Sequence, residues 1–318
     1  MSATDASRQV FARVAIVGVG LIGSSIARAA TEKGAAGAVS LFDADAGALG
    51  RAGELGLGEI RDTIAEAVRD ADAVFLCIPV GAIGQAAAAC IGAMKSGAIL
   101  TDVGSVKGNV ARDLKALGRR DVHVIPGHPI AGTERSGPDA GFASLFEGRW
   151  CILTPEAGEI SGHGAGYDAA VDRLASFWEA LGSRVERMDA TRHDLVLAIT
   201  SHVPHLIAYN IVATAHDMES VTEGEVVKFS AAGFRDFTRI AASDPTMWRD
   251  VFLNNREAVL EVLGRFDDDL TALRKAIRNG DGATLFNLFT HARGIRREII
   301  EAGQDISAPN FGRDESKT

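Results

Sequence analysis

The chain opens with short, uninterrupted apolar runs separated by segments of helical composition. Residues 14–17 (V-A-I-V) are followed by 24–33, rich in alanine and other helix formers. The alternation continues with apolar runs at 39–42, 73–78, 98–101, 122–125, 150–153 and 184–188, and with a helical segment at 167–181. Apolar runs of this length without a polar face read as strands covered on both sides. Strands alternating with helices predict a parallel sheet with right-handed crossovers. The pattern changes after Asp189. No strand-like run follows, and apolar positions recur at helical spacing in 194–218, 226–229, 247–263, 267–277 and about 283–302. Two domains are therefore expected, a sheet domain over 11–189 and an all-helical domain over 190–308, with polar, loose ends at 1–10 and 310–318.

The turn after the first run is G-V-G-L-I-G, with glycines at 18, 20 and 23. Strand, G-x-G-x-x-G and helix in that order form a dinucleotide-binding turn, so the first domain reads as α/β and Rossmann-type, with a mostly parallel sheet. Gly18 makes the turn, Gly20 admits a pyrophosphate and Gly23 lets the helix pack on the strand. Leu21 and Ile22, within the glycine turn, are further candidates for cofactor contact, ahead of the helix at 24–33 whose free N–H groups and positive dipole end would face the phosphates. The second strand ends at Asp43, 43 − 18 = 25 residues past Gly18. An acid there suits the adenosine ribose hydroxyls and repels a 2′-phosphate, which points to NAD rather than NADP. Asp43 or Asp45 could instead cap the next helix. Ile78 and Pro79, at the end of the 73–78 strand, border the same crevice, as do Asp102, Ser105, Lys107 and His128 after later strands.

Composition narrows the class. The 318 residues are 47% hydrophobic, enough for a sizeable core, and the net charge of −9 argues against a general nucleic-acid surface. Cys77, Cys90 and Cys151 form no C-x-x-C pair, as expected of reduced thiols in a cytoplasmic protein, and the polar start lacks a signal-peptide pattern. Residues 73–94 are almost wholly apolar, but Pro79, Gly81, Gly84 and Gly92 favour a buried strand and covered helix over a membrane span.

Three clusters carry candidate chemistry. G-H-P-I-A-G-T-E-R-S-G (127–137) places His128, suited to proton transfer near neutral pH, at a strand end beside the nucleotide crevice. T-S-H-V-P-H (200–205) puts His202 and His205 three apart on one helix face, next to Ser201, with Pro204 expected to kink the helix. Two histidines without a suitably spaced cysteine or carboxylate set do not make a zinc site, and no metal is expected. G-F-R-D-F-T-R-I-A-A-S-D-P-T-M-W (233–248) places Arg235 and Arg239 one turn apart, with Asp236 able to pair with either. Phe234, Phe237, Ile240 and Trp248 surround them, as expected of a partly dry carboxylate clamp. Ser243 or Asp244 would cap the next helix, ahead of Pro245.

Taken in order, D-V-G-S-V-K, G-H-P-I-A-G-T-E, S-H-V-P-H and F-R-D-F-T-R-I-A-x-S-D-P-x-M-W make the chain resemble the prephenate dehydrogenase family, including arogenate and cyclohexadienyl dehydrogenases, over roughly residues 14–300. The resemblance implies a nucleotide-binding domain followed by a helical dimerisation domain. It also implies NAD-dependent oxidative decarboxylation of prephenate to 4-hydroxyphenylpyruvate, or of arogenate to tyrosine. Carried over, it makes His128 the group that hydrogen-bonds and deprotonates the ring hydroxyl, and Ser105 a neighbour of that hydroxyl and of the nicotinamide. Arg239 becomes the carboxylate clamp, Arg235 the basic position one turn earlier, and His205, Ser201, Thr133 and Trp248 pocket residues. A neutral imidazole at His128 predicts activity falling below about pH 6.5. Glu134 and Asp139 are candidates for reading the amino end of arogenate. Two other readings stay open: a β-hydroxyacid dehydrogenase, for which Lys228 would be the acid/base group, and a nucleotide-binding regulator without turnover.

Overall fold

The computed structural model describes residues 9–133, 135–156, 166–218 and 231–301. The segment 226–229, Glu134, Lys228, residues 1–8 of the start expected to be loose over 1–10, and the end 310–318 lie outside the described residues, while Val10 N donates to the Ala35 carbonyl at 2.9 Å. The chain divides into two compact units, 1–260 and 261–318.

In the first unit, strands β1 (Phe11–Val17), β2 (Ala36–Phe42), β3 (Glu59–Ile60), β4 (Ala73–Leu76), β5 (Ile99–Asp102) and β6 (His123–Val124) form one sheet in the order β3-β2-β1-β4-β5-β6. Every pairing in it is parallel. The order reverses direction between β1 and β4, the topological switch at which ligands enter such sheets. Helices α1 (Leu21–Glu32), α2 (Ala46–Glu54), α3 (Ile64–Val68), α4 (Ile83–Ile91) and α5 (Gly108–Ala116) complete the crossovers. Val14 and Ile16 face one apolar layer with Ile26, Phe75, Phe177 and Trp178, while Ala15 and Val17 face another with Leu76, Ile83 and Val110. Burial on both faces is why these strands show no polar alternation. Helix α1 begins at Leu21, three residues before the expected start, because Gly20 is its N-cap.

The later strands do not continue this sheet. β7 (Gly127–Pro129), β8 (Trp150–Leu153) and β9 (Arg184–Arg187) form a second sheet, antiparallel between β7 and β8 and parallel between β8 and β9. The short strand β7 was not expected from the pattern. The last ladder bond to β5 is from Ile125 N to the Leu100 carbonyl at 2.9 Å, and from Gly127 onward the chain pairs with β8 instead. Helix α6 (Tyr167–Ala180) covers the first core with Phe177 and Trp178.

After Asp189, which caps the next helix by accepting from Arg192 N at 2.8 Å, every described element is helical. Helix α7 (Ala190–Leu197) passes through one π-helical turn (Ala198–His202) into α8 (Val203–Asp217). Pro204, where a kink was expected, cannot donate to the carbonyl of Thr200 and stands in the first turn of α8, directly after the π turn. Helices α9 (Ala232–Thr238), α10 (Pro245–Asn254), α11 (Arg256–Arg278) and α12 (Gly282–Glu301) follow, with a 3₁₀ turn over Arg239–Ala242. The expected segments 247–263 and 267–277 are divided differently: α10 stops at Asn254, and α11 runs unbroken through the second. Asp244 caps α10, accepting from Met247 N at 2.8 Å. Secondary structure changes at Asp189, yet residues 190–260 pack within the same unit as the sheet, because Asp194 and Trp248 dock against α5 and Val106.

Candidate active site

The glycine turn meets three separate steric demands. Gly18 has φ +97°, and a Cβ there would overlap the Cys77 carbonyl and Ile78. A Cβ on Gly23 would overlap the carbonyl of Gly18, whereas Gly20 borders open space. No side chain caps α1, and its first turn carries no acid, so the backbone N–H groups around Leu21 and Ile22 remain available to phosphates. Asp43 sits at the end of β2. Its Oδ2 accepts from Val19 N at 2.7 Å and its Oδ1 from Asp45 N at 2.9 Å. The capping role falls to Asp45, which accepts from Gly47 N and Ala48 N at the start of α2. The residues present therefore fit a dinucleotide. Ile78 closes against the turn, and Pro79 is exposed beside it.

Beyond β5 the motif D-V-G-S-V-K encloses a buried ion pair. Lys107, expected to face the crevice, is fully buried with Asp102, and its Nζ bonds the Asp102 carboxylate and donates to the Gly127 carbonyl at 2.7 Å. Asp102 also accepts from Gly104 N at 2.8 Å and Gly127 N at 3.3 Å. This pair fixes the loop bearing Ser105 to the strand bearing His128. Burial pushes the Lys107 ammonium below its usual range, and Asp102 opposes that shift.

His128 is half-buried on β7, and its Nδ1 lies 2.9 Å from Nε2 of the fully buried His193. His193 Nδ1 in turn lies 2.8 Å from Asp194 Oδ1. Asp194 accepts from the backbone N–H groups of Lys107 and Gly108 at 2.7 and 2.8 Å, joining α7 to the start of α5. Burial, followed by the neighbouring His193, Lys107 and His202, holds His128 well below its usual pKa, so the ring is neutral near pH 7.

The histidines of α8 gather around Trp248. His205 stacks on it, with ring centroids 3.7 Å apart and an interplanar angle of 24°, while His202 approaches at 77° and 6.0 Å. His205 Nδ1 donates to the Ser201 carbonyl at 2.8 Å, and Asn255 Nδ2 bonds both His202 Nδ1 and the Asp194 carbonyl. Burial lowers the His202 pKa to about 4 and that of His205 to a lesser degree, with the charge of Arg239 contributing at His205. Trp248 packs on Val106, which brings this cluster beside Ser105.

The arginine cluster is wetter than expected. Arg235 is exposed, 3.8 Å from Asp236, and Phe237 is also exposed; Arg239 is exposed beside His205. Thr133 is exposed on the loop after β7, and its hydroxyl accepts from Arg135 N at 3.2 Å. The structure thus brings Ser105, His128, Ser201, His205, Trp248 and Arg239 to one region, and leaves Thr133 and Arg235 engaged locally. Asp139 is paired with Arg51 at 2.8 Å. Among the described residues no group of three or more histidine, cysteine or acidic side chains could hold a metal ion.

The family model described as prephenate dehydrogenase, nucleotide-binding domain, matches residues 26–187, and the model for the prephenate dehydrogenase dimerization domain matches 189–291. The chain belongs to the prephenate dehydrogenase family. It is 43% identical over 288 residues to a cyclohexadienyl dehydrogenase of Zymomonas mobilis, covering 90% of this chain and 96% of that protein. It is also similar to prephenate dehydrogenase from Aquifex aeolicus, solved with hydroxyphenyl propionate and NAD+, with 34% identity and a TM-score of 0.81 over 90% of this chain and 98% of the other. Arogenate dehydrogenase of Synechocystis gives 26% identity and a TM-score of 0.76 over 90% and 99%.

Within this prephenate dehydrogenase framework, sequence reasoning missed His193 and Asp194. Their only signal is the adjacent pair H-D at the boundary of the segment 194–218, whose pattern is otherwise that of apolar helix packing. It also placed Asp102 and Lys107 in the crevice, although opposite charges five residues apart around a glycine turn are spaced to pair with each other.

Proposed function

We propose that the protein is an NAD-dependent dehydrogenase that oxidatively decarboxylates prephenate, arogenate or both, giving 4-hydroxyphenylpyruvate or tyrosine plus carbon dioxide, in tyrosine biosynthesis in the cytoplasm. The observation that carries this reading is His128. It is half-buried and neutral on β7, immediately after the first sheet, with Nδ1 engaged by His193, so that Nε2 is the ring nitrogen left to meet a substrate. NAD, when bound, supplies the hydride acceptor. His128 accepts the proton of the ring hydroxyl as the hydride leaves the same carbon. Loss of carbon dioxide then leaves that oxygen as a phenolate, to which the proton returns, so the reaction needs no net acid or base. Ser105 lies beside the hydroxyl. Arg239 holds a carboxylate, with Arg235, His205, Ser201, Thr133 and Trp248 around it, and Asp43 receives the adenosine ribose.

The active form is a homodimer through the helical half, residues 190–308. Ile199, Ile211 and Val212 on the run Ala190–Asp217, and Phe286 and Phe289 on α12, are exposed. That run is long and apolar enough to cross a membrane by length and composition. It also carries His193, Asp194 and His202 into the site, which supports an assembly face. The test is NADH production with prephenate and with arogenate, each with NAD and NADP. Turnover of at least one acid with NAD is expected; none with either acid, or a preference for NADP, would overturn the reading.

A further inference from the structure

We propose that His193, held by Asp194, is a positioning residue that fixes His128 in the tautomer able to accept the substrate proton. This rests on the reading of His128 as the base. Both oxygens of Asp194 already accept backbone N–H groups, Oδ1 from Lys107 at 2.7 Å and Oδ2 from Gly108 at 2.8 Å. The atom facing Oδ1 from His193, Nδ1 at 2.8 Å, must therefore carry a hydrogen. The opposite assignment would set two lone pairs against each other in a fully buried place. His193 is neutral, since burial lowers its pKa against the opposing pull of Asp194. Its proton is thus spent on Asp194, and Nε2 presents a lone pair. That lone pair lies 2.9 Å from His128 Nδ1, which must then be an N–H. A neutral imidazole with its hydrogen on Nδ1 has a bare Nε2. Without His193, His128 is free to carry its hydrogen on Nε2 and would meet the substrate hydroxyl with a donor instead of an acceptor.

The chain of bonds also explains where Asp194 sits. Its carboxylate meets two consecutive N–H groups at the start of α5, two residues past Ser105, so one side chain anchors the serine loop and sets the direction of the histidine pair. Asp102 and Lys107 hold the other end, at Gly127, immediately before His128. When His128 takes the proton, its Nδ1–H remains directed at His193, and the imidazolium is held by an acceptor that is itself backed by a carboxylate.

The test compares His193→Met and His193→Gln in the full-length enzyme. A glutamine oxygen can accept from His128 Nδ1–H, whereas methionine offers no comparable acceptor. Nitrogen-15 spectra of histidine-labelled protein without substrate, with His128 assigned by loss of its signals in His128→Asn, read the tautomer independently of turnover. Wild type is expected to show His128 protonated on Nδ1 and bare on Nε2, with His193→Met shifting it toward Nε2–H. His193→Met is expected to lower kcat about 10²–10⁴-fold, the range for losing a general base or its tautomer, with little change in KM. His193→Gln is expected to regain most of that loss and the wild-type tautomer. A wild-type spectrum with His128 protonated on Nε2 overturns the proposal, as does a folded His193→Met with unchanged kcat. A folded His193→Gln as slow as His193→Met also overturns it, since His193 would then have to carry a proton itself. If wild type turns over neither prephenate nor arogenate, the functional reading fails while the spectra still judge the tautomer.

Discussion

Replacing Lys107 by methionine tests whether the buried Asp102–Lys107 pair holds the site together. Both side chains are fully buried, and Lys107 Nζ bonds the Asp102 carboxylate and the Gly127 carbonyl. Methionine keeps roughly the volume but strands the carboxylate, leaving it only the N–H groups of Gly104 and Gly127. Removing one partner of a buried pair typically costs about 3–5 kcal/mol, because the remaining charge is desolvated without compensation. Against a usual total of roughly 5–15 kcal/mol this is a large share, and at roughly 2–4 °C per kcal/mol the melting temperature should fall by about 6–20 °C. Circular dichroism followed through thermal and urea unfolding measures it. Adding Asp102→Asn removes the stranded charge, so the double variant should lose less stability than the sum of the two single variants. A Lys107→Met protein within about 1 kcal/mol of wild type would refute the reasoning, since it would mean that the carboxylate is not isolated by losing its partner.

His128→Asn should lower kcat about 10²–10⁴-fold with KM much less affected, and unchanged turnover would remove its role as base. Because the neutral ring is the active form and burial, His193, Lys107 and His202 hold its pKa well below 6.5, the acid limb of kcat/KM should lie at lower pH than the sequence alone predicts; a midpoint at or above 6.5 would contradict the site geometry. Arg239→Ala should chiefly raise KM, by roughly ten- to a hundredfold for a lost charge-assisted hydrogen bond, and unchanged substrate saturation would refute the clamp. Asp43→Ala should weaken NAD binding and narrow the preference over NADP, by removing the ribose acceptor and loosening Val19; unaltered cofactor affinity by calorimetry would count against it. Light scattering at micromolar concentration should give a dimer, and Phe286→Asp, at a position 71% exposed in the single chain, should shift it toward monomer; a monomeric wild type would refute the assembly.

The sequence alone determined what depends on local pattern. The run at 14–17 is unbroken because both faces of β1 are covered, and Gly18, Gly20 and Gly23 follow from a turn whose steric demands lie within a few residues of it. Asp43 at a strand end, Asp244 as one of two candidate helix caps with Ser243, and the break in character after Asp189 are local in the same sense. The position of His128 beside the crevice was legible because a strand of a parallel sheet delivers its carboxyl end there. Its hydrogen-bond partner was not. His193 is 65 residues away, and only the docking of α7 on α5 carries it to 2.9 Å from His128. The departure of β7 into a second sheet was likewise hidden, since its partner β8 lies more than twenty residues further along the chain and nothing local to Gly127 names it. Tertiary structure also turned Lys107 inward, because a charge so close to Asp102 and the Gly127 carbonyl is better satisfied in the core than beside the substrate. Local rules place the groups that meet the ligand; which neighbours tune those groups is decided by packing between segments far apart in the chain.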